Sequence, residues 1–305
     1  MSDQDAIYAQ LRRLQPRTGA FIDGKFSDGK SRGTLHGAGG SDVLTLINPA
    51  TAQIVTECAA APASEVDRAV QGAHRALRTS GWSRWAPRRR AEVLLQLAGQ
   101  LEENAAELAL LDTLCMGRPI AATYGADLEE AAETLRFTAE CIDKLAGKTT
   151  AAGDEVLHYV THEPFGVVGA IVPWNYPLLL AVWKIAPALA AGNAVVLKPS
   201  ELAPLSALRL GELFLAAGGP AGVLQVVPGR GEEAGRALAL HADVALLTFT
   251  GSAAVGGKLL AYAGASNLKP VHLECGGKSP HIFLRDLPDL DAAVACAAHG
   301  IFDNA

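Results

Sequence analysis

The sequence predicts an α/β fold built on a doubly wound parallel sheet, and three observations carry that prediction. After residue 165 the chain turns to short Val-rich runs at 167–172, 194–197, 223–227 and 245–249, bounded by Gly and Pro. Runs this short and this apolar fit strands buried on both faces. Helical stretches separate them, the alternation that lays parallel strands side by side with helices on either face. The 305 residues, half of them hydrophobic, suffice for about two domains and a substantial core.

In chain order, residues 1–10 (MSDQDAIYAQ) lack the basic-then-apolar order of a signal peptide. Phe21-Ile22-Asp23-Gly24-Lys25-Phe26 sets two strand-like pairs around Asp-Gly, a strong hairpin signal. Residues 31–42 are Gly-rich and predict a loop. Helices are predicted at 64–78, 87–114 and 127–145. In the second, Val93, Leu94, Leu97, Leu101, Leu108 and Leu111 recur at three- and four-residue steps, opposite Glu102, Glu103 and Glu107. That stripe predicts a core-facing side. The weakly charged stretch 166–197 is interrupted by Pro173, Asn175, Pro177, Lys184 and Asn193, so a buried core explains it better than a membrane span. Residues 288–302 predict a last helix, and no internal repeat is visible.

Lys and Arg number 26 against 32 Asp and Glu, a net charge of -6 spread along the chain. This excludes nucleic acid or an anionic membrane as main partner. The basic cluster Arg88-Arg89-Arg90 predicts a solvated helix face. Cys58, Cys115, Cys141, Cys275 and Cys296 are odd in number and form no C-x-x-C. They predict reduced, buried thiols and a cytoplasmic setting, with no metal site.

Gly24-Lys25-Phe26-Ser27-Asp28-Gly29-Lys30-Ser31 formally matches the phosphate-loop pattern, but a hairpin precedes it and no helix is predicted after it. Gly276-Gly277-Lys278-Ser279 fails the same pattern, with His272 where the first glycine belongs. Two other glycine clusters have the right setting. Gly229-Arg230-Gly231-Glu232-Glu233-Ala234-Gly235 and Gly251-Ser252-Ala253-Ala254-Val255-Gly256 each follow a strand and open a helix. Each alone is as easily a plain turn; together they suit a pyrophosphate at a helix N-terminus.

Four motifs follow in order: Pro173-Trp174-Asn175-Tyr176-Pro177, Lys198-Pro199-Ser200-Glu201, Phe249-Thr250-Gly251-Ser252, and Leu273-Glu274-Cys275-Gly276-Gly277-Lys278-Ser279-Pro280. From about Phe21 to the last residue the chain resembles the aldehyde dehydrogenase superfamily. Among its branches it most resembles the bacterial enzymes acting on γ-glutamyl-γ-aminobutyraldehyde and related amino aldehydes. The resemblance implies a Rossmann-like coenzyme domain at 1–146 and 165–273, a β-arm of the oligomerisation type at 147–164, and an incomplete catalytic domain starting at 274–305. It also implies NAD-dependent oxidation of a small-molecule aldehyde to a carboxylic acid, and homo-oligomers among the family's enzymes.

Residue by residue, the resemblance assigns Lys198 and Glu201 to the adenine ribose hydroxyls. A carboxylate there disfavours a 2′-phosphate, hence NAD over NADP. Gly251, Ser252 and Gly256 match the pyrophosphate-facing turn, while Gly231 and Trp174 match neighbouring cofactor positions. Without the flanking motifs, Lys198 and Glu201 read as a surface pair and Trp174 as core. Asn175 matches the amide that steadies an oxyanion, and Glu274 the general base that activates water. The plain alternatives are a turn Asn between prolines and a strand-end carboxylate.

In the family a cysteine thiolate attacks the aldehyde, and it follows a Phe-x-Asn-x-Gly-Gln stretch. Phe302-Asp303-Asn304-Ala305 matches only the beginning of that stretch, so the resemblance implies that the nucleophile is missing and that these residues alone do not turn over. Neither nearby thiol replaces it. Cys275 is expected on the opposite face from Glu274, Cys296 reads as helix core, and no activating His or cation is evident beside either. Cys115-Met116 departs from the polar pair usual before Gly117-Arg118-Pro119. The alternative reading is a non-catalytic dinucleotide-binding or interaction protein derived from the enzyme.

Overall fold

A computed structural model describes residues 13, 15–27, 43–302 and 304. Part of the formal phosphate-loop match (28–31), the predicted loop at 31–42 and residues 1–10 lie outside the described residues. Asp23 and Gly24 both have positive φ (53° and 78°), the conformation of a tight two-residue hairpin. They join β1 (Phe21–Ile22) to β2 (Lys25–Phe26), with Phe21 opposite Phe26. A second antiparallel pair, β3 (Val43–Ile47) and β4 (Ile54–Ala59), escaped the sequence reading. Burial alternates along β3, with Leu44 and Leu46 inside, but Val43 and Ile47 on the other face are apolar too, so the sequence shows no period of two.

α1 (Ala63–Ser80) ends at Gly81 in the left-handed conformation suited to a helix C-terminus. The single helix predicted at 87–114 is two, α2 (Pro87–Glu103) and α3 (Ala105–Met116). Asn104 divides them. Its Nδ2 donates to the Gln100 carbonyl at 2.8 Å while its own carbonyl accepts from the Leu108 amide at 3.0 Å. Such local bonding by Asn competes with an unbroken helix. The predicted apolar stripe survives the break, with Leu94, Leu97, Leu101, Leu108 and Leu111 all buried. The basic cluster is corrected at one position. Arg88 and Arg89 are exposed, but Arg90 is buried and donates to the carbonyls of Trp85 and Ala190.

α4 (Leu128–Cys141) leads to a hairpin of β5 (Lys148–Thr150) and β6 (His158–Val160), every residue of which is exposed. The alternating half then runs β7 (Val167–Ile171), α5 (Pro177–Ala190), β8 (Ala194–Lys198), α6 (Leu205–Ala216), β9 (Leu224–Val226), α7 (Arg236–Leu240), β10 (Leu246–Gly251), α8 (Ala253–Gly264) and β11 (Val271–Cys275), before α9 (Leu290–Phe302). The strand β11 is additional to the four predicted runs.

The sheet order is β11-β10-β7-β8-β9-β1-β2, with β7 to β11 parallel and β1 antiparallel to β9. The doubly wound parallel sheet is therefore present. Strand alternation divides the core in two. Val168, Ala170, Val195 and Leu197 pack toward α2 to α6, whereas Val167, Ile171, Ala194 and Val196 pack toward α1, α7 and α8. From β7 the chain winds to β8 and β9 on one side and to β10 and β11 on the other. The order thus reverses between β7 and β10, and the carboxyl ends there form the crevice where such sheets hold ligands. Among the described residues no helix is long and apolar enough to cross a membrane.

Candidate active site

The turn after β7 carries Trp174 and Asn175, β10 ends in Gly251 with Ser252 following, and β11 carries Glu274 near its end. These five positions, far apart in sequence, line one cleft of about 610 Å3. Trp174 is 44% exposed, so its ring is a wall of the cleft rather than core. The Asn175 carbonyl accepts from Asn304 Nδ2 at 3.2 Å. Glu274 is exposed at the cleft. Burial lowers the pKa of Lys184 on α5, and the Glu274 carboxylate partly offsets that.

Gly251 has a steric reason to be glycine. A Cβ there would stand 2.4 Å from Cζ of Phe249, whose ring is buried. Ser252 caps α8: its Oγ accepts the Val255 amide at 3.3 Å, which leaves the hydroxyl proton available to donate. Gly256 has a packing position, not a cleft position. A Cβ on it would meet Cys275 Sγ at 3.2 Å and Leu273 Cδ1 at 3.3 Å, so its absence lets α8 lie close on β11.

Lys198 ends β8 and is buried; its Nζ donates to the Pro199 carbonyl at 2.9 Å and to Glu201 Oε2 at 3.2 Å. Burial lowers the Lys198 pKa against the pull of Glu201. Burial also raises the Glu201 carboxyl, but Lys198 and the amides of Glu201 and Gly231 outweigh it, and the net shift is downward. Glu201 therefore stays ionised. Gly231 lies at the start of the turn after β9, and a Cβ there would meet nothing within 4 Å. Ladder partners tie this trio to the cleft, since Ile171 of β7 pairs with Lys198 on one side and Phe249 on the other.

The thiols differ from expectation. Only Cys58 and Cys115 are buried, and burial pushes the Cys58 thiol up to about 12 and Cys115 higher still. Cys275 and Cys296 are exposed. Cys275 borders the same cleft as Glu274, but its sulfur, like the Leu273 side chain, lies against Gly256 of α8, the face opposite Glu274 that alternation along β11 requires. Cys296 Sγ has a neighbour, His281 Nε2 at 3.9 Å, that lies 15 residues away in sequence. Leu180 and Trp183 also line the cleft and went unrecognised. Most of α5 is buried and apolar, so no stripe singles out one face. Cys115 and Met116 share a smaller cavity of about 230 Å3 with Trp174.

A sequence profile of the aldehyde dehydrogenase family matches residues 37–305. The chain belongs to the aldehyde dehydrogenase family. This aldehyde dehydrogenase chain is 46% identical over 285 residues to aminoacetaldehyde dehydrogenase of Pseudomonas aeruginosa, covering 93% of this chain and 56% of that protein. It is similar to the solved gamma-glutamyl-gamma-aminobutyraldehyde dehydrogenase of Burkholderia cenocepacia (TM-score 0.89, 45% identity, 98% of this chain and 58% of that one). It is also similar to a mutant indole-3-acetaldehyde dehydrogenase of P. syringae solved in complex with NAD+ (TM-score 0.90, 44% identity, 99% and 59%). The chain spans about half the length of the curated relatives it matches.

Proposed function

We propose that the chain binds NAD in preference to NADP and contributes Asn175 and Glu274 to the oxidation of an aldehyde to a carboxylic acid. The observation that carries this reading is the cleft at the carboxyl edge of the sheet, where Trp174, Gly251 and Ser252 meet Asn175 and Glu274 at the switch point. The residues fit a dinucleotide. Glu201 and Lys198 are suited to a pair of ribose hydroxyls, and the ionised Glu201 repels a 2′-phosphate. The N-terminus of α8, with Ser252, is suited to a pyrophosphate. Open space at Gly231 and the exposed Trp174 ring suit the remainder.

When bound, such a cofactor supplies a hydride acceptor. The Asn175 amide is a neutral donor for an oxyanion, and Glu274 is an accessible base for the proton of an attacking water. The similarity to aminoacetaldehyde dehydrogenase and to gamma-glutamyl-gamma-aminobutyraldehyde dehydrogenase supports an aldehyde that carries an amine or amide function. In this reading residues 147–164 form an oligomerisation arm and residues 274–305 open the catalytic domain. Among the described residues Cys275 is the thiol of the cleft, and its sulfur is turned to Gly256. The 305 residues alone are therefore expected to bind NAD without forming NADH from an aldehyde.

Thermal unfolding with and without NAD tests the reading. A ligand that binds only the folded chain adds about 2.7 kcal/mol at a hundred times its Kd. Glu201→Ala should remove most of that gain, and no shift at millimolar NAD would overturn the proposal.

A further inference from the structure

The helix that follows Asn175 starts without local help. Pro177 at its first position has no amide, and the side chain of the preceding Tyr176 makes no capping bond. The amide of Leu178 is met instead by Asp112 Oδ2 at 3.2 Å, a side chain from α3 that lies 66 residues earlier. A carboxyl oxygen that accepts from a helix N-terminal amide satisfies one of the donors left open at the positive end of the helix. Beside it, the Arg118 guanidinium stands 5.0 Å from the Tyr176 ring centroid, with its Nε 3.0 Å from Asp127 Oδ2. Asp112, Arg118 and Asp127 are all buried. Packing gives no reason for an acid at 112: burial drives its carboxyl up to about 7, with Ser206 and the Leu178 amide only partly countering.

We propose that Asp112 is a positioning residue: by binding the Leu178 amide, seconded by Arg118 on Tyr176, it fixes the turn that presents Trp174 and Asn175 to the cleft. The inference rests on the reading of that cleft as a dinucleotide and aldehyde site.

Hydrogen exchange of the full 305-residue chain and its titration with NADH, followed by energy transfer from tryptophan, test it together. Asp112→Ala is expected to quicken exchange of the amides at 175–180 by about tenfold, the effect of one lost hydrogen bond, while β8 and β9 stay slow. NADH affinity should fall about threefold to tenfold, with less transfer from Trp174, shown by comparison with Trp174→Phe. Asp112→Asn keeps an oxygen for the Leu178 amide and should restore both. Asp112→Leu, which refills the buried volume, replaces the alanine variant if that fails to fold. Unchanged exchange at 175–180, or a uniform quickening that Asn does not rescue, would overturn the proposal. If the wild-type chain binds no NADH, the reading of the cleft fails, and the exchange pattern still decides whether Asp112 holds the turn.

Discussion

Asp112 sets a pH dependence that a single residue can report. Its folded value of about 7 lies above the 3.8 of a free carboxyl, so the folded chain holds that proton more tightly than the unfolded one. Its contribution to stability is complete below the unfolded value and is lost as pH rises through the window up to about 7. At about 1.4 kcal/mol per unit the loss amounts to a few kcal/mol. Denaturation at a series of pH values should show Asp112→Asn gaining on the wild type from pH 4 to 7, and a constant difference would contradict this. At Glu201, the substitution Glu201→Gln removes charge and keeps shape. Competitive titration should then show NADP gaining on NAD by about tenfold, which corresponds to about 1.4 kcal/mol.

At the scale of elements, two glycines that look alike in sequence separate. Gly251 closes β10 over the buried Phe249 ring, so Gly251→Ala must push the ring or the strand aside. Overpacking of this kind costs about 1–3 kcal/mol, and NAD binding should fall with it. Gly231 opens the turn after β9 into free space, so Gly231→Ala should stay within about 0.5 kcal/mol of the parent. If the proposed NAD reading holds, its NAD affinity should nonetheless drop, because the added methyl would stand in the space the proposal assigns to the cofactor. Melting curves paired with NAD titrations separate the outcomes; equal stability losses in both variants would refute the steric distinction.

Across the whole molecule, burial is lopsided. The two cores flank the sheet from β1 to β10, whereas α9 has no buried residue and the segment before it exposes Ile282, Phe283 and Leu284. Apolar surface in one contiguous segment favours association. Light scattering of the 305-residue chain is expected to show concentration-dependent self-association, and a monomer at every concentration would count against it. The sequence by itself determined the hairpin at Asp23-Gly24, the strand-helix alternation after residue 165 and the identity of the motif residues. These are signals of period and turn chemistry carried by neighbours in the chain. Tertiary structure alone decided that Arg90 is buried against Ala190, that Trp174 and Glu274 line one cleft, and that Asp112 reaches Leu178. Each of those depends on partners tens of residues away, which no local pattern encodes.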